Sequence, residues 1–396
     1  MTAHPTTDYA TELARIAADI TTLEASAPPR EPDPDRTRAR RLAFKRYQRA
    51  SLRGDFAALE EVDREIGALI APVRPDPDLS YLKANLDFKF HRLGAVRRNL
   101  EACVELRTSA PGRALQADLD LQHGRYAEAG RAYREVIEQD PTWDNIARLA
   151  HLEFKLGDDE AADRHFEEAE DELTAKEMRH YAWLQLQRGL LDLSRGRHGA
   201  AREHYERAER AYSGYWVVAE HRAELLAACG ECDAAAALYE RVVAEVPRPE
   251  LLQALGELYA HMGLPDQAEA WFDKALAAYM DSVARGEVHY LHHLADFYAD
   301  VREDGAQAVR WAGEDLALRE NPATLAAWAW ALHRDGRADE ALEPMRRSLA
   351  SGAVDVHALD RAAAIHRAAG NRAEGERLAL QARARNPHGA GFHVHR

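Results

Sequence analysis

A glycine that follows one helical pattern and precedes an alanine-rich one recurs at Gly54, Gly94, Gly124, Gly157, Gly196, Gly230, Gly263, Gly305, Gly336 and Gly370. The gaps between them are 40, 30, 33, 39, 34, 33, 42, 31 and 34 residues, averaging about 35. A recurrence of this size marks a stack of supersecondary units, each too small to bury its apolar face alone. The units are helical, because β-branched residues are scarce and no alternation of period two persists. A hydrophobic content of 46% and a charged content of 30% fit an ordered chain.

The clearest unit is Leu251–Ala277. Leu252, Leu255, Gly256 and Tyr259 lie on its first helix, Gly263 and Pro265 make a turn, and Ala268, Phe272, Ala275 and Leu276 lie on its second. The neighbours repeat the scheme with Tyr126, Ala129, Tyr133 and Pro141; Ala162, Phe166 and Ala169; Ala201, Tyr205 and Ala208; and Ala235, Tyr239 and Pro247. Ala341 and Met345, then Ala382 and Pro387, follow near the end. Small residues such as Gly256 and Ala268 permit close approach of two helices. The large residue four positions after the alanine, such as Phe272, shares its face and reaches the next unit.

This pattern resembles the tetratricopeptide-repeat (TPR) family. The resemblance implies an all-α, right-handed α-solenoid of about ten TPR-like hairpins over residues 37–387. The first two units and the Gly305 unit are degenerate, and the Gly305 unit has an unusually long first helix from about Asp281 to Asp300. Residues 1–27 read as an N-terminal amphipathic helix, with Tyr9, Leu13, Ile16, Ile20 and Leu23 on one stripe. Residues 28–36 read as a proline-rich linker, and 388–396 as a histidine-containing tail.

The formal charge of −15 disfavours a phosphate backbone as main partner. Three cysteines do not make a disulfide framework, and no apolar run approaches the ~18 residues of a membrane span. With no leader pattern at Met1–Pro29, a cytoplasmic location is the expectation. P-loop, GxGxxG, GxSxG and HExxH signatures are absent, so neither catalysis nor a cofactor is expected.

Three constellations have specific chemistry to weigh. Cys229 and Cys232 form CGEC, a spacing that serves redox pairs and half zinc sites, here bracketing a repeat turn. His289 and His293 are spaced i,i+4, and Asp296 is i+4 from His292, so two pairs project from adjacent faces of one helix and suit a transition metal; His388, His393 and His395 add imidazoles in the tail. The acid-free stretch Arg36–Arg53 reads as a basic helical face pairing with the acidic stretch Glu153–Glu177.

The family resemblance further implies that the first helix of each hairpin lines a concave face that meets a partner. Carried over residue by residue, it gives His151, Lys155, Gln185, Glu220, Glu224, Gln253, Glu257, His261, Trp330, His333 and Arg334 as groove positions. The middle of that row is acidic, which fits a basic or neutral peptide better than an acidic one. The expected function is thus a TPR adaptor or scaffold. The alternatives are an accessory protein binding or delivering a metal through the histidines, and a regulatory module whose effector domain acts in trans. The Tyr9–Leu23 helix on its proline tether is a further candidate for the groove, either folding back into the array or pairing with another chain.

Overall fold

The computed structural model describes residues 8–25, 37–70, 76–174, 177–389 and 391–392. The proline-rich linker at 28–36, most of the proline stretch at 72–78, and His393 and His395 lie outside the described residues. Within them the chain forms twenty-two α-helices and one π-helical turn, and no strand.

After the N-terminal helix Tyr9–Ala25, twenty helices pair into ten hairpins, and the short helix Val104–Thr108 stands between the second and the third. The first is Thr37–Arg53 with Phe56–Ile70, the second Pro77–Lys89 with Leu93–Ala102, and the third Ala110–Gln122 with Tyr126–Gln139. The fourth is Trp143–Lys155 with Asp159–Asp171, the fifth Met178–Ser194 with His198–Ala211, and the sixth Trp216–Ala228 with Cys232–Glu245. Pro249–His261 with Pro265–Ala284 makes the seventh, and Leu291–Asp296, extended by the π-turn Phe297–Val301, pairs with Gly305–Leu318 as the eighth. Pro322–Arg334 with Ala338–Leu349 and Val356–Ala368 with Arg372–Arg385 complete the array.

The packing follows from the alternation of small and large residues. A side-chain carbon built at Gly256 would lie 2.6 Å from the Phe272 ring, so only glycine allows this approach of the two helices. Phe272 in turn meets Phe297 of the eighth hairpin edge-on, with ring centroids 6.0 Å apart. Tyr133, Phe166, Tyr205 and Tyr239, at the equivalent places of the third to sixth hairpins, are likewise buried.

Four expectations need correction. At the second and eighth hairpins the left-handed turn residue is His91 (φ 58°) and Glu303 (φ 50°), not Gly94 or Gly305. Gly305 instead opens a helix against the Asp335 backbone, where a side-chain carbon would come within 2.5 Å. The lengthened helix is Pro265–Ala284; the chain then turns through Gly286 (φ 79°), so no helix runs from Asp281 to Asp300. His289 therefore lies in a turn before the Leu291–Asp296 helix, and the helical i,i+4 pairing with His293 is not formed. Finally, the basic helix pairs with near neighbours rather than with Glu153–Glu177. Lys45 meets Asp19 at 2.7 Å, Arg46 meets Glu24 at 2.8 Å and also Glu65, and Arg40 meets Asp76 and Asp78 at 3.1 and 2.8 Å. The acidic stretch is matched by Arg188, Arg195 and Arg385.

The array winds until its coils touch. Gly54, at the first tip, sits under the Trp216 ring of the sixth hairpin, and Phe56 stacks on His289 at 4.3 Å between centroids. His91, at the second tip, accepts a 2.7 Å hydrogen bond from Arg319 at the end of the eighth hairpin. Gly124 abuts Pro322, which opens the ninth. The Lys155 carbonyl accepts from the Val354 N–H at 2.8 Å, between the ninth and tenth. Gly196 packs on Asn386 and Pro387, which follow the tenth. By contrast, nothing lies within 4 Å of a side-chain carbon built at Gly230, Gly263, Gly336 or Gly370.

The N-terminal helix folds back onto this assembly. Its Tyr9 N–H donates to Ser213 O (3.2 Å), the Tyr9 hydroxyl to Leu52 O (3.3 Å), and Tyr212 donates its hydroxyl to Glu12 (2.7 Å). Ile16 and Ile20 are buried with the largest core cluster.

Candidate partner-binding groove

Which helices face inward follows from their crowding. Successive first helices pack on one another, as Leu291–Asp296 on Pro322–Arg334 and that helix on Val356–Ala368. Among the described residues no successive pair of second helices meets to that extent. The crowded side of a curved stack is its inner side, so the first helices line the concave face.

The candidate residues on those helices divide into four groups. Gln185, Glu220 and Glu224 are 0%, 5% and 0% exposed, too enclosed to offer a surface to a guest in this winding. Gln185 donates to Glu170 at 2.8 Å and bonds His204 Nδ1 at 2.7 Å, turning toward second helices. Burial, together with the carboxylates of Glu224 and Glu220, holds the Tyr205 and Tyr239 hydroxyls protonated well beyond their usual range. Register along a helix identifies the face but not how closely the neighbouring hairpins crowd it.

Gln253 and Glu257 keep partial exposure. Gln253 donates to Glu257 at 2.8 Å and accepts from the buried Tyr279 hydroxyl at 2.8 Å, which orients the Glu257 carboxylate. His261, one turn further on, is exposed, with its ring 5.6 Å from that of Phe392.

Toward the end of the array the row is joined by ion pairs that the register alone does not bring out. Trp330 donates to Asp300 (3.0 Å), and Arg334 donates to the Ala299 carbonyl (2.7 Å) and to Glu303 (3.0 Å). Arg361 binds Asp296 at 2.8 Å and lies over the Trp330 ring at 5.3 Å, tying together the eighth, ninth and tenth hairpins. His333 packs on Trp330 at 5.0 Å. This end is aromatic, and its arginines are already matched by carboxylates.

His151 and Lys155 stand apart from the other three groups. They open onto a cavity of about 320 Å³ where two coils meet, with Tyr126, Arg319, His357 and Arg361 also in its wall. Arg319 follows the eighth hairpin and Arg361 lies in the tenth, so contact between coils brings them to the fourth.

The histidine cluster is separated by its surroundings. His289 is 3% exposed and stacked on Phe56, whereas His292 faces Arg319 (3.2 Å) and His91. Burial pushes His289 down to about 4. Among the described residues no group of three or more His, Cys, Asp or Glu is placed to hold a metal ion. None of their helices is long and apolar enough to cross a membrane.

Residues 249–279 match the family model described as tetratricopeptide repeat. No curated protein matches the chain in sequence. Among solved structures it is similar to the Cut9–Hcn1 hetero-tetramer of APC/C, at 15% identity and TM-score 0.46, covering 96% of this chain and 80% of that one. It is similar to the human IFIT1 dimer with PPP-AAAA, at 12% identity and TM-score 0.49, covering 94% of each. A tetratricopeptide repeat protein from Parabacteroides merdae has 18% identity and TM-score 0.37, with 61% of this chain and 92% of that one covered.

Proposed function

From the tetratricopeptide repeat at residues 249–279 and the nine hairpins stacked with it, we propose that this protein is a scaffold that holds a segment of another protein. The fold supports protein–protein interaction in general; the finer reading concerns which segment. We assign the inner face of the seventh hairpin, with Gln253, Glu257 and His261, as the principal contact, because these positions combine exposure with a carboxylate held by Gln253, whose own amide is fixed by the buried Tyr279 hydroxyl. His151 and Lys155 add a second contact on the fourth hairpin, and Trp330, His333 and Arg334 an aromatic one on the ninth.

A basic or neutral segment suits this surface best. Glu257 is the exposed end of an acidic row, and the chain carries −15 overall, so a basic partner is drawn in by long-range attraction and set in register by the carboxylate. Glu220 and Glu224, behind it, add to the field without touching the guest. No reaction is assigned to the protein.

The test is fluorescence anisotropy of the full chain against three peptide pools: lysine- and arginine-rich, neutral, and acidic. Basic or neutral peptides should bind, basic ones more weakly as salt rises, and Gln253→Lys with Glu257→Lys should abolish the basic component while helical circular dichroism is retained. A preference for acidic peptides, or binding unchanged in the folded double variant, overturns this reading.

A further inference from the structure

The CGEC motif occupies the sixth tip, the first along the chain that no later hairpin covers. Cys229 is exposed at the end of the Trp216–Ala228 helix; Cys232 opens the Cys232–Glu245 helix and is half-buried against the main core. Between them Gly230, at φ 80°, reverses the chain, with Gly230 N–H bonded to Ala227 O (2.9 Å) and Glu231 N–H to Leu226 O (2.8 Å). The turn closed by these two bonds spans residues 226–231. It leaves Cys229 and Cys232 on either side of Gly230 and Glu231, the CxxC spacing of dithiol couples.

The surroundings bear on each sulfur differently. His198 Nδ1 lies 3.7 Å from the Cys229 sulfur, and Arg202 is within hydrogen-bonding reach of it. Opposing them, Glu231 pairs with Arg202 at 2.7 Å, and the helix end at Cys229 is the negative one. Access thus distinguishes Cys229, whereas Cys232 is the first residue of a 14-residue helix and only half-exposed. Cys103, the third cysteine, is 1% exposed.

We propose that Cys229 and Cys232 are a dithiol–disulfide couple, oxidised at the sixth tip by a low-molecular-weight disulfide. The Cys229 thiolate attacks one sulfur of the small disulfide; a mixed disulfide forms and one small thiolate leaves, taking a proton from solvent. The Cys232 thiolate then attacks the Cys229 sulfur, closing the protein disulfide and expelling the second small thiol. Two protein thiols lose two electrons and two protons, and one small disulfide gains them. The His388 ring packs on His198 at 4.8 Å, and Gly391 lies beside Ala228, so the segment after the tenth hairpin adjoins the altered tip.

The experiment equilibrates the full chain with reduced and oxidised glutathione across a series of ratios. Native alkylation and peptide mass spectrometry then count free thiols. The Cys229–Cys232 peptide should go from two labels to none, with loss of two hydrogens, and recover both labels with dithiothreitol. Cys103 should stay unlabelled throughout. Cys229→Ser or Cys232→Ser, checked for fold by circular dichroism, should stop at a single glutathione adduct on the remaining thiol. Two labels retained at the most oxidising ratio, or adducts that accumulate without closure in the wild type, overturn the proposal.

Discussion

The indole N–H of Trp216 donates a 2.9 Å hydrogen bond to the carbonyl of Leu52, joining residues 164 positions apart. The Tyr9 hydroxyl reaches the same oxygen at 3.3 Å. One main-chain carbonyl thereby links the N-terminal helix, the first hairpin and the sixth, and the adjoining ring covers Gly54. The contact between coils is therefore made of buried side chains with specific partners.

Trp216→Ala removes both the ring and the donor. It should destabilise the protein by about 3–5 kcal/mol, the range of large aromatic deletions. Trp216→Phe retains much of the apolar contact and should cost about 1 kcal/mol for the lost hydrogen bond. Urea unfolding midpoints compare them; equal midpoints would show that the ring contributes nothing between coils.

Substituting alanine at two tips separates backbone strain from inter-coil contact. Gly230 (φ 80°) has open space around it, so Gly230→Ala should cost about 1–2 kcal/mol from the left-handed backbone alone. Gly54 (φ 62°) would in addition bring a carbon within 2.8 Å of Trp216, an overpacking worth about 1–3 kcal/mol more. Thermal melts should therefore place Gly54→Ala below Gly230→Ala.

Burial between aromatic rings makes His289 a source of acid sensitivity. Its folded value, pushed down to about 4, lies below the ordinary 6.5. The unfolded chain therefore takes up a proton before the folded one does. Stability is intact above 6.5 and falls as pH drops from 6.5 toward 4, by about 1.4 kcal/mol per pH unit for this group. His204, also held near 4 by burial with Arg188 nearby, acts in the same direction. His289→Phe keeps a ring against Phe56 and should flatten the decline between pH 6.5 and 4.5 by roughly one proton, read from urea midpoints across that window. An unchanged slope would contradict the assignment.

Removing residues 1–25 should leave the hairpins folded but expose the surfaces under Ile16 (1% exposed) and Ile20 (3%). Two such side chains contribute about 3–6 kcal/mol when fully buried. The truncated chain should melt at lower temperature and bind more 8-anilinonaphthalene-1-sulfonate than the full chain. If neither changes, the docking of this helix has no energetic weight.

What could be read from the amino acids was the unit, because Gly256 and Phe272 encode their contact within one period of the repeat. Contacts between coils were not legible. Nothing near Trp216 announces Leu52, since their meeting depends on a small rotation per hairpin summed over several hairpins. The histidine spacing misled for a local reason: periodicity treats 281–300 as one helix, and Gly286 was the available sign of a break. On the inner face, the repeat register identified Gln185, Glu220 and Glu224 as facing the groove. It carried no information on how far neighbouring rings and helices would enclose them.

An open solenoid stores its interactions between adjacent units and accepts the gain or loss of one. Here Gly54, His91, Gly124, Lys155 and Gly196 each meet a set partner in the following coil. Excising a single hairpin from the middle would put every later partner out of step, as a missing link does to a chain on a toothed wheel. Gain or loss of a hairpin inside the array is therefore under structural constraint, and repeat duplication there requires both coils to change together.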